Sequence, residues 1–273
     1  MSFAPTLFAG LTLLGNVKPM SEPELLERAK QVFAQGVRLA QDHKEEAVDF
    51  FSEAAQYLDE LEQRGVRNAD FHLFQGNAHF LGNELAAAIL AYRKGLAFDP
   101  GHKGLQEHLS LARRQVVYPV GGPFRAPTEG WPAGFSRPTY RTQFFCALAC
   151  YVLGLGGFCW WYAKRRMGAA ILAAACTLVA ASIVIGLVFQ QRREAYNEQH
   201  PIVVIQRNDV VLRLGNGNLY PSVVASTLNR GVEARLRHRL GGWLLIELEG
   251  GQVGWIPRDA ALVENRVPIA DNS

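Results

Sequence analysis

Two uncharged apolar runs, separated by three cationic residues, constrain this 273-residue chain more than any other feature. Residues 144–163 read FFCALACYVLGLGGFCWWYA and residues 167–189 read MGAAILAAACTLVAASIVIGLVF, with no charged side chain in either. At about 1.5 Å per helical residue, each run covers about 30 Å, the thickness of a bilayer's hydrocarbon core. Lys164-Arg165-Arg166 leaves room only for a tight turn at one membrane face. Trp160, Trp161 and Tyr162 fall where an interfacial aromatic belt belongs. The competing reading is a helical hairpin buried in a globular core, which seldom keeps two runs of this length free of charge. The expectation is a two-pass transmembrane hairpin at residues 144–189, with the lipid bilayer as its first partner.

The composition then makes sense as an average. Only 19% of residues are charged, against about 25% in soluble proteins, and the deficit is concentrated in the two runs. An apolar content of 49% with a net charge of +3 excludes wholesale disorder. All four cysteines (Cys146, Cys150, Cys159, Cys176) lie within the runs, where thiols behave as small apolar groups. Cys146 and Cys150 share a helical face without an accompanying His or carboxylate, so packing is the expected use. Ala170/Ala174 and Ser182/Gly186, each four apart, would let helices approach closely or dimerise. Arg137 and Arg141 before the hairpin and Arg192 and Arg193 after it offset the three charges of the turn, leaving its orientation open. Residues 3–15 (FAPTLFAGLTLLG) are apolar but short for a span. Residues 1–20 are therefore either a degenerate signal, lacking a basic n-region and a clean cleavage site, or a docked arm. Two passes place both flanking parts in one compartment.

Residues 21–118 carry two related helix pairs. The clearer runs from residue 70 to 100, DFHLFQGNAHFLGNELAAAILAYRKGLAFDP, with Gly76, Ala88, Tyr92, Gly95 and Pro100 at offsets of 0, 12, 16, 19 and 24. Small residues at helix crossings, an aromatic on the second helix and a closing proline resemble the tetratricopeptide repeat (TPR). A looser copy holds Gly36, Ala47, Phe51 and Ala54, its second helix running on to about Gln63. A third helix over residues 105–116, burying Leu105, Leu109 and Ala112, would cap the stack before Pro119 and Gly121-Gly122. The TPR resemblance implies a concave partner-binding groove lined by Phe33, Val37, Leu73, Asn77 and Phe80, with Arg114 from the cap. Eleven basic and fifteen acidic side chains make this segment acidic, which argues against nucleic acid as a partner. His72 and His79, seven apart, lack a nameable third ligand, so they read as core or groove-edge residues rather than a metal site.

Residues 119–143 are Pro- and Gly-rich and linker-like, and residues 190–201 form a second short linker. From residue 202 to 264 short apolar runs alternate with glycine turns, the pattern of a small all-β barrel. Residues 202–205 lead in, followed by runs at 210–214, 232–240, 242–248 and 254–257. The order V-x-LR-x-G-x-G-x-x-YP, GW-x-x-IEL, G-x-x-GWIP and A-x-x-V resembles the bacterial SH3-type domain. Gly215-x-Gly217 follows a strand but opens no helix, so it is a barrel loop rather than a nucleotide loop. Arg235, Arg237 and Arg239 alternate along one strand and are expected to share a face, with Ala234, Leu236 and Leu240 opposite. That face is either solvated or turned to anionic lipid or wall polymer. By the SH3 resemblance Tyr220, Trp243 and Pro257 correspond to groove positions, while Trp255 is expected in the core. Residues 265–273 form a tail.

No HExxH, GxSxG or phosphate loop is present, and no cysteine lies outside the runs to pair with a histidine, so a non-enzyme without cofactor or metal is expected. The fold class is a multidomain membrane protein: an all-α TPR repeat, a two-helix transmembrane hairpin and an all-β SH3-like barrel. That order, with the segment YRKGLAFDPGHKGLQEHLSLARRQVVYP, resembles the BatE-type TPR protein of the bacterial aerotolerance (Bat) family. The resemblance implies an inner-membrane scaffold in aerotolerance or envelope stress, with periplasmic TPR and SH3-type domains. It implies as partners von Willebrand A-type membrane proteins and a MoxR-type AAA+ ATPase. An alternative reading is an envelope sensor or anchor whose SH3-type domain binds peptidoglycan or another wall polymer.

Overall fold

The structure is a computed structural model and describes residues 20–118, 140–165, 167–225 and 227–264. The arm at 1–20 (save Met20), most of the linker at 119–143 and the tail at 265–273 lie outside the described residues. Seven helices and a small antiparallel sheet follow in chain order: α1 (Glu22–Leu39), α2 (Lys44–Gln63), α3 (Ala69–Leu81), α4 (Leu85–Phe98), α5 (Lys103–Arg114), α6 (Tyr140–Lys164) and α7 (Met167–Gln199). Then come β1 (Ile202–Ile205), β2 (Glu233–Leu240), β3 (Trp243–Leu248), β4 (Val253–Pro257) and β5 (Ala261–Val263). By contacts the chain divides into two compact units, residues 1–66 and 67–273.

The first unit holds α1 and α2. Ser21 and Glu24 close a capping box at the start of α1, the Ser21 amide donating to Glu24 Oε2 at 2.7 Å. Leu25, Ala29 and Val32 recur at helical spacing and are buried with Ala54, Leu58 and Leu61 of α2. Gly36 lies against the Phe51 ring, and Phe33 meets the same ring edge-on at 5.2 Å.

In the second unit α3 and α4 repeat that device. A Cβ at Gly76 would stand 2.3 Å from the ring of Tyr92, a fully buried side chain. The Tyr92 hydroxyl donates to Asn77 Oδ1 at 2.9 Å, so the ring is held at both ends. Next, α5 packs Leu105 under Gly95, and its amphipathic face buries Leu109 and Ala112.

The hairpin helices differ in kind. The apolar stretches 141–164 and 170–189 are long and apolar enough to cross a membrane, and only 11% of each is buried within the protein. Leu153, Ile171, Leu178 and Phe189 are each more than 60% exposed, which a soluble core helix would not tolerate. The helices approach through Ala147 and Gly154 on α6 and Ala173 and Ala180 on α7, with Gly154 near the Ala173 carbonyl. Cys176 and Thr177 of α7 also lie against Gly154, and Ala170 is half-buried. Ala174, Ser182 and Gly186, expected from spacing alone to serve that purpose, are exposed, and a Cβ at Gly186 would meet nothing. Arg165 ends α6 in a left-handed conformation (φ 51°) and lies 5.7 Å and 5.8 Å from the Trp161 and Tyr162 rings. Helix α7 runs on to Gln199, so the expected linker at 190–201 is helical except for its last two residues.

The strands pair antiparallel in the order β4-β3-β2-β1-β5. Residues 210–214 do not form the strand their composition predicts. They make isolated bridges instead, Val210 to Leu228 and Arg213 to both Ser222 and Trp255. All four β1 residues are buried, so both faces of that strand are covered. One face holds Val203, Ile205, Leu236, Leu244, Ile246 and Ile256 with Leu212 and Leu228 over them. The other face, at β1, meets α4.

A methyl at Gly76 gains about 1 kcal/mol of helix propensity, but the ring it meets has no room to yield. Overpacking costs typically about 1–3 kcal/mol, so Gly76→Ala should lower the thermal midpoint of the detergent-solubilised protein. An unchanged or raised midpoint would show that the Tyr92 ring is free to move.

Candidate functional site

The groove residues expected on α3 all have internal uses. Leu73 and Phe80 are half-buried and pack against the main core, and Asn77 accepts the Tyr92 hydroxyl. Val37 and Arg114 are exposed, and Phe33 is half-buried against Phe51. His72 Nδ1 is 2.9 Å from Gln75 Oε1, with its ring stacked on Phe98, while His79 Nδ1 is 2.7 Å from Glu84 Oε2.

The residues that organise the second unit lie where helices and sheet meet. A single hydrophobic core runs from Leu85, Ile89, Leu105, Ala112 and Val116 to Val203, Val204, Val232 and Leu236. The turn into β2 approaches the helices so closely that a Cβ at Gly231 would stand 2.6 Å from Val116 and 3.0 Å from Leu85. Its φ of +87° also favours glycine. Beside it Asn229 Nδ2 donates to the Val117 carbonyl at 3.0 Å.

Glu233, at the first position of β2, is 7% exposed. Arg113 of α5 donates to it through Nε at 2.7 Å and Nη2 at 3.2 Å, and Arg93 of α4 donates to it through Nη1. Burial by itself raises a carboxyl pKa, but the charge of Arg93 and the bonds and charge of Arg113 hold Glu233 below its ordinary 4.5. The Tyr118 hydroxyl is buried without a hydrogen-bond partner among the described residues. Burial, with the Glu233 charge adding to it against that of Arg113, pushes its pKa up to about 12. Glu233, Arg93, Arg113 and Tyr118 were not legible as a set. Alternation along β2 puts Glu233 on the Arg235 side, which reads as solvent, and its partners lie 120 and 140 residues away. The signal available was a lone acid opening a strand between Val232 and Ala234.

On the same side of the sheet, past the helix contact, the residues form rows. Register aligns Leu240 with Trp243 and Trp243 with Pro257, then His238 with Leu245 and Leu245 with Trp255. Trp243 and Pro257 are thus cross-strand neighbours. Trp255 is half-buried on this outer side, edge-on to His238 at 6.4 Å, rather than in the core where it was expected. Tyr220 lies apart, with its ring over Gly215 and its carbonyl accepting from Arg213 Nη1 at 2.9 Å.

The arginine row does not survive. The register shifts between Leu236 and His238, so Arg237 occupies a bulge. Arg235 pairs with Glu247 on the outer face, whereas Arg239 pairs with Leu244, whose side chain is in the core. An extra residue reverses the alternation, and Leu240 emerges 48% exposed on the outer face instead of opposite it. Arg237 Nε donates to Glu247 at 2.6 Å, and its Nη1 lies 3.0 Å from His200 Nε2.

Comparison of the chain with protein-family models, with curated proteins and with solved structures gives no match.

Removing one member of a buried charge cluster leaves the others uncompensated, at about 3–5 kcal/mol. Glu233→Ala should destabilise the protein by that amount in denaturant titration, and Glu233→Gln by less, since the amide still accepts a hydrogen bond. Because the folded pKa is lowered, the carboxylate's contribution is complete above the unfolded value of 4.5 and is lost as the pH falls below it. Wild-type stability should therefore drop in that acid range more steeply than that of Glu233→Gln. Parallel pH profiles would show that the cluster contributes nothing by its charge.

Proposed function

We propose that this chain is a non-enzymatic two-pass membrane scaffold of the BatE type, binding protein partners through TPR-like helix pairs. The observation that carries the membrane reading is the core shared by α4, α5 and the sheet. Elements before and after the hairpin pack together, so any crossings of a bilayer between them are even in number. Two helices expose apolar surface of bilayer length between those elements, which supplies the two crossings. The scaffold reading is supported by the repeated small-on-aromatic contact, Gly36 on Phe51 and Gly76 on Tyr92. The SH3-type reading is supported by five short antiparallel strands, which form an open sheet in the order β4-β3-β2-β1-β5. In this reading the soluble parts are periplasmic, and the partners are von Willebrand A-type membrane proteins and a MoxR-type AAA+ ATPase.

Protease added to intact spheroplasts should digest the parts before and after the hairpin together. Protection of both would overturn the periplasmic placement, and digestion of only one would overturn the even number of crossings. A photo-crosslinking amino acid at the exposed positions Val37 or Arg114 should join the full-length protein to a von Willebrand A-type membrane protein in its own membrane. Absence of such an adduct at both positions would remove the support for a Bat-type scaffold.

A further inference from the structure

The outer end of the β2–β3 hairpin lies toward the C-terminal end of α7. Strands β1 and β2 are antiparallel, with Ile202 opposite Arg235. From that point β2 continues to Leu240 in the direction from which the chain enters out of α7. The bond from Arg237 to His200, one of the two residues between α7 and β1, puts this part of β2 beside the C-terminal end of α7. Beyond Phe189, where the apolar stretch ends, α7 continues ten residues to Gln199, a rise of about 15 Å. From Arg237, the residue beside His200, to Leu240 β2 runs three residues, about 10 Å. The hairpin tip thus has the length to come within about 5 Å of the level at which the apolar helix ends, the thickness of the headgroup layer.

The tip has the chemistry of an interface. Leu240 is 48% exposed, followed by exposed Gly241 and Gly242 and by half-buried Trp243. Arg239 and Arg258 are exposed and have no carboxylate partner among the described residues. The Arg258 amide bonds the Gly242 carbonyl at 2.8 Å, which places both arginines around the tip. The nearby acids are engaged, Glu247 by Arg237 and Asp259 by Arg207. An apolar tip with Trp at its base and unpaired arginines beside it matches a headgroup layer that carries negative charge.

We propose that this tip, centred on Arg239, Leu240 and Trp243 with Arg258, binds the anionic phospholipid surface of the membrane that the hairpin spans. The inference rests on the two-pass reading and specifies the partner of the sheet's outer end. Spin labels on the full-length protein, its four native cysteines replaced by alanine, test both. They are placed by Leu240→Cys at the tip, Glu249→Cys at the opposite end of the sheet, and Leu172→Cys in α7, in nanodiscs of phosphatidylglycerol or of phosphatidylcholine.

In phosphatidylglycerol the label at 240 should be more accessible to oxygen and less to a water-soluble nickel chelate than the label at 249. Replacing one arginine (Arg239→Gln), or changing to phosphatidylcholine, should shift the tip toward the aqueous state by about fivefold or more. An aqueous signal at 240 with a lipid signal at 172 would overturn this inference and leave the two-pass reading standing. An aqueous signal at 172 would overturn that reading itself. A label at 240 shielded from both reagents would mean that protein covers the tip, and insensitivity to both lipid charge and Arg239 would remove the anionic headgroup as its partner.

Discussion

The carboxylate of Glu233 sits between the guanidinium groups of Arg93 and Arg113, and the way the sheet is set on the helices depends on that contact. Around it the two elements share one apolar core, so neither α4 and α5 nor the start of β2 is complete alone. Such a cluster adds little net stability over an apolar substitute, because three charges must lose water to form it. Its effect is selective. A sheet docked in another orientation would press Glu233 against apolar helix surface and leave two arginines unmatched. Gly231 sharpens the same selection, since only a residue without a side chain lets Val116 come so near.

Much of the secondary structure was legible because it follows from period and length. Uncharged runs of bilayer length identify α6 and α7, and Gly76, Tyr92 and Pro100 delimit a helix pair whose contacts the structure reproduces. The sheet was legible from its glycine turns, although residues 210–214 bridge rather than form a strand. Two features were beyond a linear reading. The bulge at Arg237 inserts one residue and reverses every side chain after it, so an arginine row that looks regular divides between two faces. The Glu233 cluster joins residues from three segments, and a count of charge per segment conceals pairs made between segments. The groove positions on α3 show the converse limit. Repeat position predicts which helix face is involved, but Asn77 is occupied by Tyr92 and Phe80 by the core.

Parity of crossing and direction of crossing are separate questions, and they rest on different physics. Cationic flanks on both sides of the hairpin leave the charge rule without a decision. The shared core needs no charge rule, because segments packed together lie on one side of any bilayer that the hairpin crosses. It also explains why residues 67–118 and the sheet form one compact unit although the whole hairpin intervenes in the chain.

Tethering changes what the junction must supply. Helices and sheet are joined through the hairpin, so their encounter is intramolecular and their effective concentration is high. A contact that only had to be strong could be apolar throughout, as Val116, Leu85 and Val232 already are in part. An apolar contact tolerates sliding, since one aliphatic surface packs on another with little penalty. A buried carboxylate that accepts from two fixed guanidinium groups does not slide, because an offset of one residue along β2 would exchange Glu233 for Val232 or Ala234. The charged pair thus sets the register of docking while the surrounding core supplies its strength. That division follows from bringing together two elements that the chain already holds close.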